Sequence, residues 1–249
     1  MTDVELKPDE QITPFLRDRL KIIQKKRGVR FSMDPIWLAH FVRRRAYRSV
    51  AELGCGTGIA LFILGLRFPK ARMFGIEILE RYADMAARAA VLNGFERRCN
   101  IVCGDFRNIR KFAKPASFDL VVSNPPFLPE GRVRRTKDPE RATFRYEITS
   151  SIDDVVRAAG YLLKQGGDFA IIFDAQRVSD LIYGLRKEGF GIRRMRFVHP
   201  LCHRSAERVM VEAKKGRNPT VSVEPPLVVH GEDKKFSDEV EDYLEGRAL

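Results

Sequence analysis

The segment Glu52-Leu53-Gly54-Cys55-Gly56-Thr57-Gly58 restricts the possible folds of this chain more than any other stretch. It follows a short apolar run, Ser49-Val50-Ala51, and opens onto a helix-like run over residues 59–66. Closely spaced glycines let the backbone turn sharply and let a bound group approach the main chain, where side chains would block it. Strand, glycine loop and helix in that order form the opening unit of an open α/β sheet. The spacing is G-x-G-x-G, not the G-x-G-x-x-G of dinucleotide enzymes, which argues against NAD or FAD. Glu77 ends the strand-like residues 72–76, about 20 residues beyond the loop, where an acid can accept hydrogen bonds from ribose hydroxyls. Asp105, with Phe106 beside it, ends another strand-like run and could accept from a nucleobase amino group.

A second motif, Asn124-Pro125-Pro126-Phe127, follows the strand-like Phe118-Asp119-Leu120-Val121-Val122-Ser123. The Asn124 amide oxygen and the Pro125 carbonyl can each accept a hydrogen bond from a flat NH₂ group. Proline fixes φ and has no N–H, so the segment is stiff and its carbonyls are free to face a ligand. Phe127 offers a face on which a planar base can stack. Together these features suit presentation of a weakly nucleophilic amine to an electrophilic carbon.

The motifs together resemble the class I S-adenosylmethionine-dependent methyltransferases that carry an Asn-Pro-Pro-aromatic signature. Gly28-Val29-Arg30-Phe31-Ser32-Met33-Asp34 and Trp37-Leu38-Ala39 are similar to the opening segment of the bacterial tRNA1(Val) (adenine-N6)-methyltransferase family. Arg208-Val209-Met210-Val211-Glu212-Ala213-Lys214-Lys215-Gly216 and Pro225-Pro226-Leu227-Val228-Val229-His230 resemble that family's closing part. The resemblance implies a Rossmann-like α/β fold with a mostly parallel seven-stranded sheet, helices on both faces and an antiparallel last strand. It implies S-adenosylmethionine as cofactor, held by Glu52, Gly54, Gly56, Gly58, Glu77, Asp105, Phe106 and Asn124, and a catalytic motif of Asn124, Pro125, Pro126 and Phe127. The implied reaction is N6-methylation of adenine 37 in a valine tRNA. A protein glutamine N5-methyltransferase acting on a release factor, or a catalytically silent RNA-binding module, are the alternatives. The first usually carries its own helical substrate domain and a tyrosine at the motif's last position.

Strand and helix signals alternate along the chain, and no linker divides it, so a single domain over residues 1–249 is expected. Within it, residues 1–45 read as a helical basic lead-in, 46–217 as the catalytic core and 218–249 as an irregular acidic tail. Formal net charge is +12, and two blocks carry the excess. Residues 17–48 hold eleven Lys/Arg against Asp18 and Asp34, and residues 186–217 hold ten against Glu188, Glu207 and Glu212. This pattern suggests a polyanion partner, tRNA, with Arg43, Arg44, Arg45, Arg193 and Arg194 as RNA contacts. The connection over residues 128–149 is long enough to be a binding or lid element. Four cysteines without a C-x-x-C, no secretory signal and no membrane-length apolar run lead to an expectation of a cytoplasmic protein with reduced thiols. His199-Pro200-Leu201-Cys202-His203 has no second cluster to complete a metal site, so no metal is expected.

Overall fold

The computed structural model describes residues 4–27, 32–126 and 151–249. Phe127 and residues 128–149 lie outside the described residues, as do residues 28–31 of the opening segment.

The chain starts with an antiparallel hairpin of β1 (Glu10–Phe15) and β2 (Leu20–Lys25), followed by α1 (Asp34–Phe41). Next come β3 (Ser49–Leu53), α2 (Ile59–Arg67), β4 (Arg72–Glu77), α3 (Glu80–Leu92) and β5 (Cys99–Cys103). A 3-10 turn (Phe106–Lys111) leads to β6 (Phe118–Ser123), and α4 (Ile152–Leu162) to β7 (Leu163–Asp174). Then follow α5 (Val178–Lys187), β8 (Phe190–His199) and β9 (Arg208–Lys215). Two two-residue strands, β10 (Ser222–Val223) and β11 (Leu227–Val228), and α6 (Asp238–Glu245) complete the order.

Strands β3 to β9 form one sheet in the order β8-β9-β7-β6-β3-β4-β5, with β10 and β11 added along β8, while β1 and β2 remain a separate pair. Pairing is parallel except that β9 runs antiparallel to both β7 and β8. The expected α/β architecture and its antiparallel last strand are present. From β3 the order runs through β4 and β5 to one side and through β6 and β7 to the other. The switch point therefore lies between β3 and β6.

Parallel strands covered on both faces carry near-continuous apolar runs, and alternate residues supply the two cores. Leu120, Val122, Ala170 and Ile172 face the layer built from the hairpin, α1, α2 and α3. Val121, Phe169, Ile171 and Phe173 face the opposite layer, which contains α4 and α5. Helix α1 is buried along its whole length, and so is α2 from Ile59 to Gly65, because the hairpin and α6 cover what the sheet leaves open. Helix α4 opens with a reciprocal cap. Ser151 Oγ accepts from Asp154 N at 3.3 Å, and Asp154 Oδ2 accepts from Ser151 N at 3.0 Å.

Two sequence expectations need correction. The lead-in is not helical: it is mainly a hairpin, fixed on α3 by a two-pronged Arg88–Glu10 pair at 2.8 and 3.0 Å. The hairpin turn has no glycine. Leu16, Arg17 and Asp18 all adopt positive φ, of 54°, 52° and 64°, a costly conformation for L-residues. The tail is also not irregular. Ser237 caps α6 by accepting from Val240 N, Gly246 ends it at φ 71°, and Val240 is fully buried.

Helix α6 is seated by a ring stack between Tyr243 and His40, with centroids 4.4 Å apart and planes within 5°. Burial, with Arg67 nearby, depresses the His40 pKa to about 3. The unfolded imidazole gains a proton near pH 6.5, whereas the folded one stays neutral until about pH 3. The stack's contribution is therefore complete above pH 6.5 and falls as the pH drops toward 3. Urea unfolding at pH 7.5 and 5.5 should show wild type losing about 1 kcal/mol more than His40→Phe over that interval.

Candidate active site at the carboxyl edge of the sheet

Open α/β sheets bind ligands beyond the carboxyl ends of their strands, at the switch point. The register places Leu53 beside Ser123 and Ile76, and Glu77 beside Cys103. Gly54, Asn124, Glu77 and Asp105 therefore emerge from one edge. The buried Ser123 hydroxyl donates to Leu53 O at 2.9 Å, tying the two strands together where their connections diverge.

Each motif glycine occupies the left-handed region, Gly54 at φ 71°, Gly56 at 52° and Gly58 at 87°. Gly54 N and Cys55 N both donate to Ile76 O, at 2.9 and 3.1 Å, so the loop turns back over the end of β4. The three glycines differ in the space around them. A Cβ on Gly54 or Gly56 would meet nothing within 4 Å, whereas one on Gly58 would lie 2.6 Å from the Phe62 ring.

Two buried carboxylates hold this loop and the helix that follows. Glu52 Oε2 accepts from Leu61 N at 3.0 Å, in the first turn of α2. Glu77 Oε2 accepts from Gly56 N at 2.9 Å, and its Oε1 accepts from Leu79 N at 3.0 Å. Burial raises both pKa values, that of Glu52 strongly, with Glu77 adding repulsion. Glu77 thus lies at the expected strand tip and pins the glycine loop from it. Glu52 is 2 % exposed and supports α2 from below. Sequence reasoning missed both partners, because backbone N–H groups leave no trace in residue identity.

Asp105 caps the 3-10 turn by accepting from Arg107 N at 2.9 Å. Its Oδ2 accepts from the Arg107 guanidinium, at 2.8 Å from Nε and 2.5 Å from Nη2. Burial works to raise the Asp105 pKa, but these bonds overcome it and hold the carboxyl below its usual range. Arg107 is therefore a neighbour of the site that the sequence reading overlooked. Phe106 is half-buried against the core on the α4 side.

Pro125 is buried and Pro126 half-buried. Asn124 is half-buried, yet its Oδ1 is shielded from solvent and has no hydrogen-bond partner among the described residues. Phe127 lies outside those residues. Along the same edge, a cleft of about 540 Å³ lies between the end of β7 and the start of β9, lined by Asp174, Arg204, Glu207 and Arg208 among others. Among the described residues no group of three or more His, Cys, Asp or Glu could hold a metal ion, and no helix is long and apolar enough to cross a membrane.

The expected RNA contacts lie elsewhere. Arg43, Arg44 and Arg45 precede β3, and Arg193 and Arg194 lie in the first half of β8, so all five are at the amino edge. The fold brings them together around one cleft, away from Asn124. Arg43 and Arg44 are exposed, but Arg193 and Arg194 are only 18 % and 16 % exposed and are engaged by acids.

The sequence matches the methyltransferase domain family over residues 50–136. A relative from Porphyromonas gingivalis, a tRNA1(Val) (adenine(37)-N6)-methyltransferase, is 31 % identical over 204 residues, covering 80 % of this chain and 79 % of the relative. The chain belongs to the tRNA1(Val) (adenine(37)-N6)-methyltransferase family. A second member, from Vibrio parahaemolyticus, is 23 % identical over 206 residues, 83 % of each chain. Among solved structures, a predicted O-methyltransferase from Agrobacterium tumefaciens superposes with a TM-score of 0.70 at 26 % identity, covering 87 % of this chain and 98 % of that one.

Two stability measurements test this geometry. Gly54→Ala should cost about 1–2 kcal/mol for the left-handed conformation alone, and Gly58→Ala should cost more because of Phe62; denaturant titration of both checks the order. Arg194 Nη2 lies 3.1 Å from buried Glu212 and its Nη1 2.7 Å from Glu224, with the guanidinium 4.2 Å above the Phe41 ring. Arg194→Ala should therefore cost about 1–3 kcal/mol, because buried Glu212 loses its hydrogen-bonded partner and, among the described residues, keeps only Arg193, at 3.5 Å. Exposed Arg43→Ala should stay within about 0.5 kcal/mol of wild type.

Proposed function

We propose that the chain methylates the exocyclic N6 of an adenine in tRNA, with Asn124 and Pro125 holding the reacting amine. The observation that carries this reading is the solvent-shielded Asn124 Oδ1, which lacks a partner among the described residues at the switch point. A buried acceptor left unpaired costs about 1–3 kcal/mol, and such an atom at a strand end suits a donor supplied by the substrate. Pro125 adds a carbonyl without a competing N–H.

S-adenosylmethionine supplies a methyl group already activated by its sulfonium. The adenine N6 lone pair is delocalised into the ring, so the protein's task is alignment and polarisation. Acceptance by Asn124 Oδ1 and Pro125 O from the two N–H bonds favours a pyramidal nitrogen. It also stabilises the positive charge that develops there, an interaction that strengthens toward the transition state. Correct placement of the amine contributes several kcal/mol more. A base within a helix cannot reach such a pocket and has to be unstacked, which a loop adenine permits at low cost. No strong base is required, because the methylated nitrogen is acidic and loses its proton to solvent.

On the cofactor side, the Gly54–Gly58 loop offers its backbone, and Glu77 and Asp105 present carboxylates from neighbouring strand ends. Glu77 already positions Gly56, so its second task would be to accept from the ribose. Glu52 would act through α2, by fixing the helix onto which the loop opens. The role of Phe127 as a stacking face rests on the motif alone.

Asn124→Ala should lower turnover by roughly 100- to 1000-fold with cofactor affinity nearly unchanged. The measurement is single-turnover methylation of unmodified tRNA, with nucleoside analysis of the product and calorimetry for the cofactor. Turnover within a few-fold of wild type would defeat the amine clamp. Label confined to a release factor would select the glutamine N5 alternative.

A further inference from the structure

The two basic blocks lie far apart in sequence, yet they line a single cleft of about 840 Å³. Arg43, Arg44 and Arg45 enter it from the segment before β3, Arg193 and Arg194 from β8, and Lys214 from the end of antiparallel β9. All of these positions are at the amino edge of the parallel strands, opposite Asn124.

The floor of the cleft is built on buried acids. Asp168, fully buried on β7, accepts from Tyr47 Oη at 2.9 Å and Arg45 Nη1 at 2.9 Å. It also pairs with Lys214 Nζ at 2.8 Å and Arg193 Nη1 at 3.4 Å. Glu212 lies beneath Arg193 and Arg194, at 3.5 and 3.1 Å. Six cations therefore face three carboxylates, counting the half-buried Glu224, and the excess charge is carried at the rim. Arg45 is 53 % exposed despite its bond to Asp168. Arg44 spends one donor on Ala248 O, and Arg43 has no partner among the described residues.

The lining selects for backbone and not for bases. Phe41 is already covered by Arg194, and the buried Tyr47 is fixed on Asp168, so neither offers a free stacking face. What remains is a row of guanidinium groups, with Thr220 and Ser222 beside them. A small anion would not need a cleft of this size or three successive rim arginines. The strands separating this edge from Asn124 hold five or six residues, about 17–20 Å, so only a polymer can occupy both edges.

We propose that this amino-edge cleft grips the phosphodiester backbone of the tRNA at a distance from the adenine being methylated. The proposal rests on tRNA being the substrate. Division of labour follows from the separation: the cleft governs how tightly RNA is held, and the carboxyl edge governs how fast the base reacts. Phosphate contacts carry no sequence information and release counterions, so the cleft's contribution is independent of sequence and dependent on salt.

The test uses exposed rim residues and leaves the buried scaffold intact. Arg43→Ala/Arg44→Ala and Arg43→Lys/Arg44→Lys are compared with wild type by direct titration of unmodified tRNA, and of an unrelated RNA duplex, across a salt series. The alanine pair should weaken both RNAs by roughly tenfold or more and flatten the log–log salt slope by about one to two units. The lysine pair should recover most of the loss, which a purely structural role would not allow. Steady-state assays should show the alanine effect in KM for tRNA, with kcat and cofactor affinity within about twofold. Wild-type affinity and slope in the alanine pair would overturn the proposal. So would a loss confined to the tRNA, which would mean base readout. Loss of binding only to phosphatidylserine vesicles would point to a membrane and overturn it as well. Binding is read without turnover, so cleft-dependent RNA binding without N6-methyladenosine would defeat the proposed reaction and leave the cleft standing.

Discussion

The carboxylate of Glu77, bridging Gly56 N and Leu79 N, is the contact on which the active edge depends. A loop turned by three left-handed glycines has little of its own to hold it, because glycine loses more entropy on ordering than any other residue. The bridge ties that loop to the neighbouring strand end, and the Ser123–Leu53 bond ties the strand end bearing Asn124 to the same point. The glycine loop and the strand end bearing Asn124 are thus fixed relative to one another by the sheet, and Asn124 Oδ1 is held without a partner among the described residues.

Buried acids perform opposite tasks at the two edges of the sheet. Glu52 and Glu77 accept from backbone N–H groups and have no cation among their bonded partners in the described residues, so burial raises their pKa values. Asp168 and Glu212 are buried as deeply but are surrounded by arginine and lysine. At one edge the acid shapes a loop for a ligand. At the other, it keeps several like charges close together at the surface without mutual repulsion pushing them apart.

Much of the active edge was legible in the sequence, because its requirements are local. Only glycine adopts φ 71°, 52° and 87° in succession at low cost, and only proline removes a donor while stiffening the chain. The cap of α4 is equally local, because Ser151 and Asp154 bond each other within one turn. The hairpin was not legible. Its turn, residues 16–19, uses left-handed Leu16, Arg17 and Asp18 in place of the Asn-Gly or Asp-Gly that marks such turns. The final helix was legible in principle, from Ser237 before it and Gly246 after it. The state of Arg193 and Arg194 could not be read at all. Nothing local to β8 says that Glu212 lies on the strand beside it and Asp168 on the strand beyond.

The hairpin turn meets the far end of the chain. Arg17 pairs with Glu245, Arg19 donates to Gly246 O, and Arg44 donates to Ala248 O. During synthesis the first forty residues therefore leave the ribosome about two hundred residues ahead of their partners. Leu16, which lies beside Gly246, and helix α1, which lies against α6, must wait through that interval without their final cover, whereas β2 meets α3 much sooner. A domain closed by contacts of such long sequence separation gains little from folding piecemeal. It is in the partly made chain that these apolar residues are most open to aggregation and to chaperones.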